Sequence, residues 1–300
     1  MRVLIAGGSG FLGGALTARL VDDGAAVTWL SRTPGIAHSG NVEVRGYDAL
    51  GQDDHWDAVV NLAGAGIAGR RWSAARKREL LDSRLQPTRR LLEWMAGCRR
   101  RPQVLLSGSA VGWYGARGDA PLTEDSGFHD EFVHQLCERW EAAALEAQAL
   151  GVSVLLLRTG VAMHPDGGML ARLLPPFRLG LGGRLGDGTQ AISWIAREDW
   201  VEAVRMLLRM HLAGEAEAPE GPVNLTAPQP VTNAGFTAAL AGALGRPALL
   251  PLPAPLLRLG LGEMSTLLLD GQRVLPERLA RLGFRFLHPR LEDALRAQLS

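Results

Sequence analysis

Lysine is almost absent from this chain: Lys77 is the only one among 32 basic residues. Tyrosine is nearly as scarce, with Tyr47 and Tyr114 alone. Chemistry that needs an amine or a phenol therefore has very few candidates. Cysteine is limited to Cys98 and Cys137, which excludes a secreted disulfide scaffold and points to a reducing compartment. A surplus of either charge is lacking. The 32 basic and 31 acidic residues leave +1, so no broad field steers the chain to nucleic acid or an acidic membrane. Long apolar runs are lacking too. The most apolar late stretch, 249–269, is broken by Pro251, Pro253, Pro255, Arg258 and Glu263, and does not read as a membrane span. The N-terminus enters Val3-Leu4-Ile5-Ala6-Gly7 behind a single Arg2, with no signal-peptide core. The expected location is the cytoplasm. The seven histidines are scattered without i, i+4 pairing, and no Cys-x-x-Cys occurs, so no metal site is expected.

What is present is enough for a full core. The chain has 300 residues, 47% apolar and 21% charged, and a chain of that length buries roughly 75% of the surface its unfolded form exposes. Short runs at 2–6, 26–31, 41–46, 58–62, 103–107 and 153–158 are mostly rich in Val, Leu or Ile with little polar alternation. Strands buried on both faces of a parallel sheet have this composition. Helical spacing of apolar residues occupies 11–22, 73–98 and 130–150 between them. The alternation predicts a doubly wound parallel α/β sheet. Beyond Arg158 the pattern changes. A turn cluster at 165–168 and a five-glycine stretch at 180–188 precede a strand at 191–195, a helix at 197–211 and a loop at 214–222. A strand at 223–226, a helix at 232–244 with Thr232 as N-cap, and two short helices at 276–282 and 290–299 complete the chain.

Gly7, Gly10 and Gly13 follow the first strand and open the first helix as Gly-x-x-Gly-x-x-Gly. This spacing is a variant of the dinucleotide fingerprint. Gly7 allows the tight turn, Gly10 lets backbone approach a pyrophosphate, and Gly13 lets helix pack on strand. The helix start, at Phe11 and Leu12, then offers unpaired N–H groups and a positive dipole end. The second strand ends in Ser31-Arg32, where an NAD site places a carboxylate for the ribose 2′-OH. A hydroxyl and a guanidinium suit a 2′-phosphate instead, so the expected cofactor is NADP. Asp48 either contacts the adenine edge or is a plain turn residue.

Val59-Val60-Asn61-Leu62-Ala63-Gly64 resembles the fourth-strand signature of short-chain dehydrogenases/reductases, and the glycine spacing resembles their extended branch. Arg70-Arg71-Trp72, Asp82-Ser83-Arg84, Ser193-Trp194-Ile195 ahead of Asp199, and the tail from about residue 249 narrow the likeness to an atypical epimerase-like subfamily with a small C-terminal domain. The resemblance covers essentially the whole chain. It implies a Rossmann-like domain from 1–165 and 190–226, with a small α+β substrate-side unit from 166–189 and 227–300. It also implies that Leu62, Ala63, Glu79 and Arg84 lie near the cofactor; Gly64 and Ser107 are expected there because they sit at the carboxyl ends of strands, where parallel sheets bind ligands. A guanidinium at Arg84 can clamp a phosphate.

The usual Tyr-x-x-x-Lys pair of that family is missing. At its expected place the chain reads Cys137-Glu138-Arg139-Trp140-Glu141, and Lys77 lies before the fifth strand, so no register shift restores the pair. Ser109 is the candidate for the substrate-orienting serine, with Tyr114 second. Three readings follow. Other groups such as Ser109, Tyr114 and Glu141 carry the reaction; or the chain binds NADP without turnover as a regulatory or scaffold protein; or the substrate needs no proton from the protein. Cys137 reads as packing, since no His or Lys nearby in sequence would activate it. The expected partner is a small molecule of unknown identity. The loop 163–188 and the tail are expected to wall its site.

Overall fold

The computed structural model describes residues 1–33 and 42–299; Asn41, the expected start of the third strand, and His38 lie outside the described residues. In chain order the elements are β1 (Arg2–Ala6), α1 (Phe11–Asp22), β2 (Ala26–Ser31), β3 (Glu43–Gly46), β4 (Ala58–Asn61), α2 (Ala74–Gly97), β5 (Val104–Ala110), β6 (Pro121–Leu122), α3 (Phe132–Leu145) and β7 (Ser153–Thr159). There follow β8 (Val161–His164), α4 (Gly168–Arg178), β9 (Ala191–Ile192), β10 (Trp194–Ala196), α5 (Arg197–Ala213), β11 (Gly221–Leu225) and β12 (Val231–Thr232). The tail holds α6 (Asn233–Leu244), α7 (Ala254–Leu261), α8 (Thr266–Leu269), β13 (Arg273–Val274), α9 (Glu277–Arg281) and α10 (Leu291–Leu299).

Seven parallel strands form the central sheet in the order β3-β2-β1-β4-β5-β7-β11. The order reverses between β1 and β4, and in such sheets ligands bind outside the strand ends at this point. Strand side chains alternate between two apolar cores. Val3, Ile5, Val60, Leu106 and Leu155 face Leu16 and Leu20 of α1 and Val204, Leu207 and Leu208 of α5. Leu4, Val59, Leu105 and Leu156 face Leu91 and Met95 of α2 and Ala144 of α3. Helices on both sides explain why the strands read as unbroken apolar runs.

A third core lies outside the sheet. Leu170, Leu174 and Phe177 of α4 pack with Phe236 and Leu240 of α6 and Leu291, Ala294 and Leu295 of α10. Met163, Trp194 and Ala196 belong to this core, although they fall within segments read from sequence as part of the sheet domain. The Ser-Trp-Ile…Asp motif staples it to the tail. Ser193 Oγ donates to Gln272 O at 2.7 Å and accepts from Val274 N at 2.8 Å. Trp194 Nε1 donates to Gln229 O. Asp199 accepts from the N–H groups of Leu287 and His288, and burial raises its carboxyl.

Several sequence expectations need correction. The strand expected at 191–195 is two short strands, split where Ser193 turns its hydroxyl to the tail. The strand expected to end at Ser107 runs to Ala110, because β7 pairs with it through Arg158 and Thr159. The strand expected to end at Leu62 stops at Asn61. The helix expected to 150 ends at Leu145 and tightens into a 3₁₀ turn over Glu146–Leu150. The expected strand at 223–226 begins earlier, at Gly221. Residues 163–188 are not a loop throughout, since β8 and α4 lie there; Pro175 and Pro176 close the helix, where Pro ends hydrogen bonding. Two further helices, α7 and α8, occupy the proline-broken stretch, α7 starting on Pro253 and Pro255. A proline fits a helix's first turn because that N–H has no partner there.

Candidate functional site

The turn after β1 packs backbone on backbone against the turn after β4. Gly7 has φ +80°, and a Cβ there would sit 2.8 Å from the Leu62 carbonyl, so only glycine fits. At Gly13 a Cβ would strike the Gly7 carbonyl oxygen. Gly10 differs. Its Cβ would meet only the Gly7 oxygen, at 3.1 Å, so packing alone does not demand glycine there. Gly10 is also the N-cap of α1 with no side-chain cap, which leaves the first-turn N–H groups of Phe11 and Leu12 available to an anion. A cradle that a side chain would fill, above a bare helix start, fits a pyrophosphate. The side chains of Phe11 and Leu12 turn elsewhere: Phe11 fills the space at Gly167, and Leu12 packs on the sheet core.

Asn61 sets the other wall. Fully buried, it donates from Nδ2 to Thr88 Oγ1 at 2.8 Å and accepts from Ala63 N at 3.3 Å. This fixes Leu62, Ala63 and Gly64 along a groove of about 460 Å³. The same groove is lined by Gly7, Gly10, Ser31, Arg32 and Glu79, so the structure brings most of the expected cofactor residues to one place. Glu79 is engaged by Arg70 and Arg76, both at 2.7 Å, and the Arg76 hydrogen bond holds its carboxyl below the ordinary value.

Sequence reasoning missed part of this wall. Ser83, Gln86, Pro87 and Arg90 line the groove with Glu79. They recur on α2 at the three- and four-residue spacing of one helix face, which was the available signal. Tyr47 also lines it.

Arg84 packs against Gly64 without itself lining the groove. Nη1 donates to Leu80 O at 2.9 Å and Ala65 O at 3.2 Å, and the guanidinium rests 5.1 Å from the Trp140 ring centroid. Among the described residues it has no carboxylate partner. Burial, with Arg76 as a lesser cause, lowers its pKa, while neighbouring Cys137 acts the other way. A desolvated guanidinium without a counter-ion suits an anionic or developing oxyanion ligand.

Ser109, Tyr114 and Glu141 meet in one buried network. Ser109 Oγ donates to Glu141 Oε1 at 2.6 Å. Arg158 holds the same carboxylate bidentately, Nε to Oε1 at 2.9 Å and Nη2 to Oε2 at 2.8 Å. Its Nη1 donates to Tyr114 OH at 3.2 Å, and that hydroxyl donates to Asn224 Oδ1 at 2.7 Å. The Arg158 guanidinium lies 3.5 Å from the Trp113 ring centroid. Tyr114 is fully buried, and burial raises its pKa. Neither Tyr114 nor the buried Ser109 is among the residues that line the groove. Ser107 is also fully buried, its hydroxyl on Gly108 O. Cys137 is buried and its thiol is pushed up to about 12, by desolvation first and then by Glu141. A protonated, buried thiol is a poor nucleophile. Arg158 had a signal in the sequence: a charge closing an otherwise apolar strand.

A glycine turn at the switch point of a parallel sheet, with its groove floored by an Asn-x-Ala-Gly turn, defines an extended short-chain dehydrogenase/reductase architecture. The model of the NAD dependent epimerase/dehydratase family matches residues 3–221, and a domain of unknown function (DUF1731) matches 252–298. The chain belongs to that epimerase/dehydratase family. It is 43% identical to the epimerase family protein Mb2239 of Mycobacterium bovis, over 98% of this chain and 96% of that one. With YfhF of Bacillus subtilis it shares 36% identity over 98% and 97% of the two chains. The crystal structure of human epimerase family protein SDR39U1 with NADPH superposes with a TM-score of 0.91 at 35% identity, over 100% and 99% of the chains.

Proposed function

We propose that this chain is an NADP(H)-dependent oxidoreductase or epimerase-like enzyme acting on a small carbonyl or carbinol compound. The observation that carries this reading is the groove itself: a cradle at Gly10 that protein packing does not require, continuous with Ser31 and Arg32 where a 2′-phosphate needs a cation. The relative solved with NADPH supports the choice of cofactor. When bound, the nicotinamide supplies hydride exchange. Two buried free cysteines support a reducing compartment, and we place the protein in the cytoplasm. Among the described residues no helix is long and apolar enough to cross a membrane.

The chain's own residues divide the remaining work. Ser109 stands near the carboxyl end of β5, two residues beyond the Asn61–Ser107 pairing. Its proton is given to Glu141, so its oxygen is left to accept from a substrate hydroxyl. Arg158 holds the Glu141 carboxylate through two hydrogen bonds and thereby fixes the acceptor that orients the serine hydroxyl. Arg84 supplies positive charge beside Cys137. Tyr114 holds Arg158 and Asn224 in place and touches no substrate.

Titration with NADPH and NADH, with nicotinamide absorbance followed against carbonyl compounds and nucleotide sugars, tests the reading. Arg32→Asp is expected to weaken NADPH by about 1.5–3 kcal/mol, the worth of a charged hydrogen bond, and to spare NADH. Equal wild-type affinities overturn the cofactor choice. Tight NADPH binding without turnover of any such compound favours the regulatory reading.

A further inference from the structure

The groove continues past Ser31 into a second cavity walled by Arg32, Val44, Tyr47, Asp48 and Arg90. Ser31, Arg32, Tyr47 and Arg90 line both spaces, so they mark the junction. Arg32 follows β2 and is exposed, and it has no ion pair among the described residues. Arg90 comes from the far end of α2. Its guanidinium lies 5.1 Å from the Tyr47 ring centroid, and Nη2 pairs with Asp48 Oδ1. Both cations act on Tyr47, whose hydroxyl burial raises to about 12 against the pull of Arg90 and Arg32. Two cations from separate elements thus converge on one aromatic wall.

The Asp48–Arg90 pair is built to be exchanged. The Asp48 side chain is 93% exposed and that of Arg90 42%, so water screens the pair and it contributes little to stability. A phosphomonoester carries between one and two negative charges and three acceptor oxygens, which one guanidinium does not neutralise. Resting on the reading of the groove as an NADP(H) site, we propose that Arg90 is the second arm of the 2′-phosphate subsite, acting with Arg32, and that Asp48 is the counter-ion the phosphate displaces. A ribose with a free 2′-OH gains nothing by displacing Asp48. Discrimination between the cofactors therefore comes from Arg90 as well as from Arg32.

The test is calorimetric titration of wild type, Arg90→Gln and Asp48→Asn with NADPH, NADH and adenosine 2′,5′-bisphosphate. Arg90→Gln is expected to lose about 10- to 100-fold in affinity for NADPH and for the bisphosphate, with NADH unchanged. Asp48→Asn is expected to bind both 2′-phosphates more tightly than wild type. If wild type prefers NADPH and Arg90→Gln keeps the same NADPH-to-NADH ratio, the role of Arg90 is overturned while the NADP(H) reading stands. If wild type shows no preference, the NADP(H) reading fails and this inference fails with it.

Discussion

Ser109 and Glu141 are joined by a 2.6 Å hydrogen bond in which the hydroxyl donates and the carboxylate accepts. Glu141 stands where related enzymes carry the lysine of their proton-transfer pair, so the serine is oriented here by an anion. A serine whose proton is committed inward presents its lone pairs outward. Loss of a side chain positioned to handle a transferring proton typically lowers the rate about 10²–10⁴-fold. Ser109→Ala should therefore lose turnover by about that factor and keep wild-type NADPH affinity. Cys137→Ala, whose thiol is buried and protonated, should change turnover little. Steady-state kinetics beside cofactor titration decides the matter; a fully active Ser109→Ala with an inactive Cys137→Ala reverses the assignment.

The same carboxylate is half of a buried ion pair. Arg158 and Glu141 expose only 4% and 6% of their side chains, so removing one partner leaves the other charged, buried and unpaired. Such a loss costs about 3–5 kcal/mol, whereas replacing both charges by apolar groups is often close to neutral. Glu141→Ala should fall in that range by urea denaturation. Glu141→Leu combined with Arg158→Met should recover much of the loss. A Glu141→Ala protein as stable as wild type would show that the pair is not what holds α3 to β7.

The three glycines of the first turn separate folding from binding. A valine at Gly13 must move the Gly7 carbonyl, while a valine Cβ at Gly10 meets only that oxygen, at 3.1 Å. Gly13→Val should lower Tm and perturb the fold. Gly10→Val should keep a near-native circular dichroism spectrum and lose NADPH binding, because its side chain occupies the pyrophosphate cradle. Normal NADPH binding by Gly10→Val would make the turn a structural feature only.

Much of this was legible before any coordinates. The sheet could be read because buried parallel strands are apolar on both faces, and Gly7, Gly10 and Gly13 because few other uses of glycine have that spacing. The missing Tyr-Lys pair followed from Lys77 being the only lysine. What could not be read is the set of contacts made by residues distant in sequence. Tyr114 was the second catalytic candidate; that its hydroxyl donates to Asn224, 110 residues away, could not be read from the sequence. The meeting of Arg90 with Tyr47 and Asp48, more than 40 residues away, is likewise a contact that only the fold makes. The helix α4 was hidden by Pro175 and Pro176, which signal a break but here fall in the last turn.

His164 gives the protein a pH-dependent contact near the start of α1. Its Nδ1 lies 3.2 Å from Asp166 N, and its Nε2 lies 2.7 Å from Arg197 Nη2 and 3.5 Å from Glu198 Oε1. Arg197 in turn lies 5.4 Å from the ring centroid of Phe11. Burial and then Arg197 lower the imidazole pKa below its ordinary 6.5, against the opposing pull of Asp166 and Glu198. The native state therefore binds fewer protons than the unfolded chain just below pH 6.5, and stability rises with pH there. The contribution is fully present above pH 6.5 and is lost as pH falls through the depressed native value. Wild type should lose Tm between pH 7 and pH 5, and His164→Gln should lose less over the same interval. Identical Tm–pH slopes in the two proteins would remove His164 from the account.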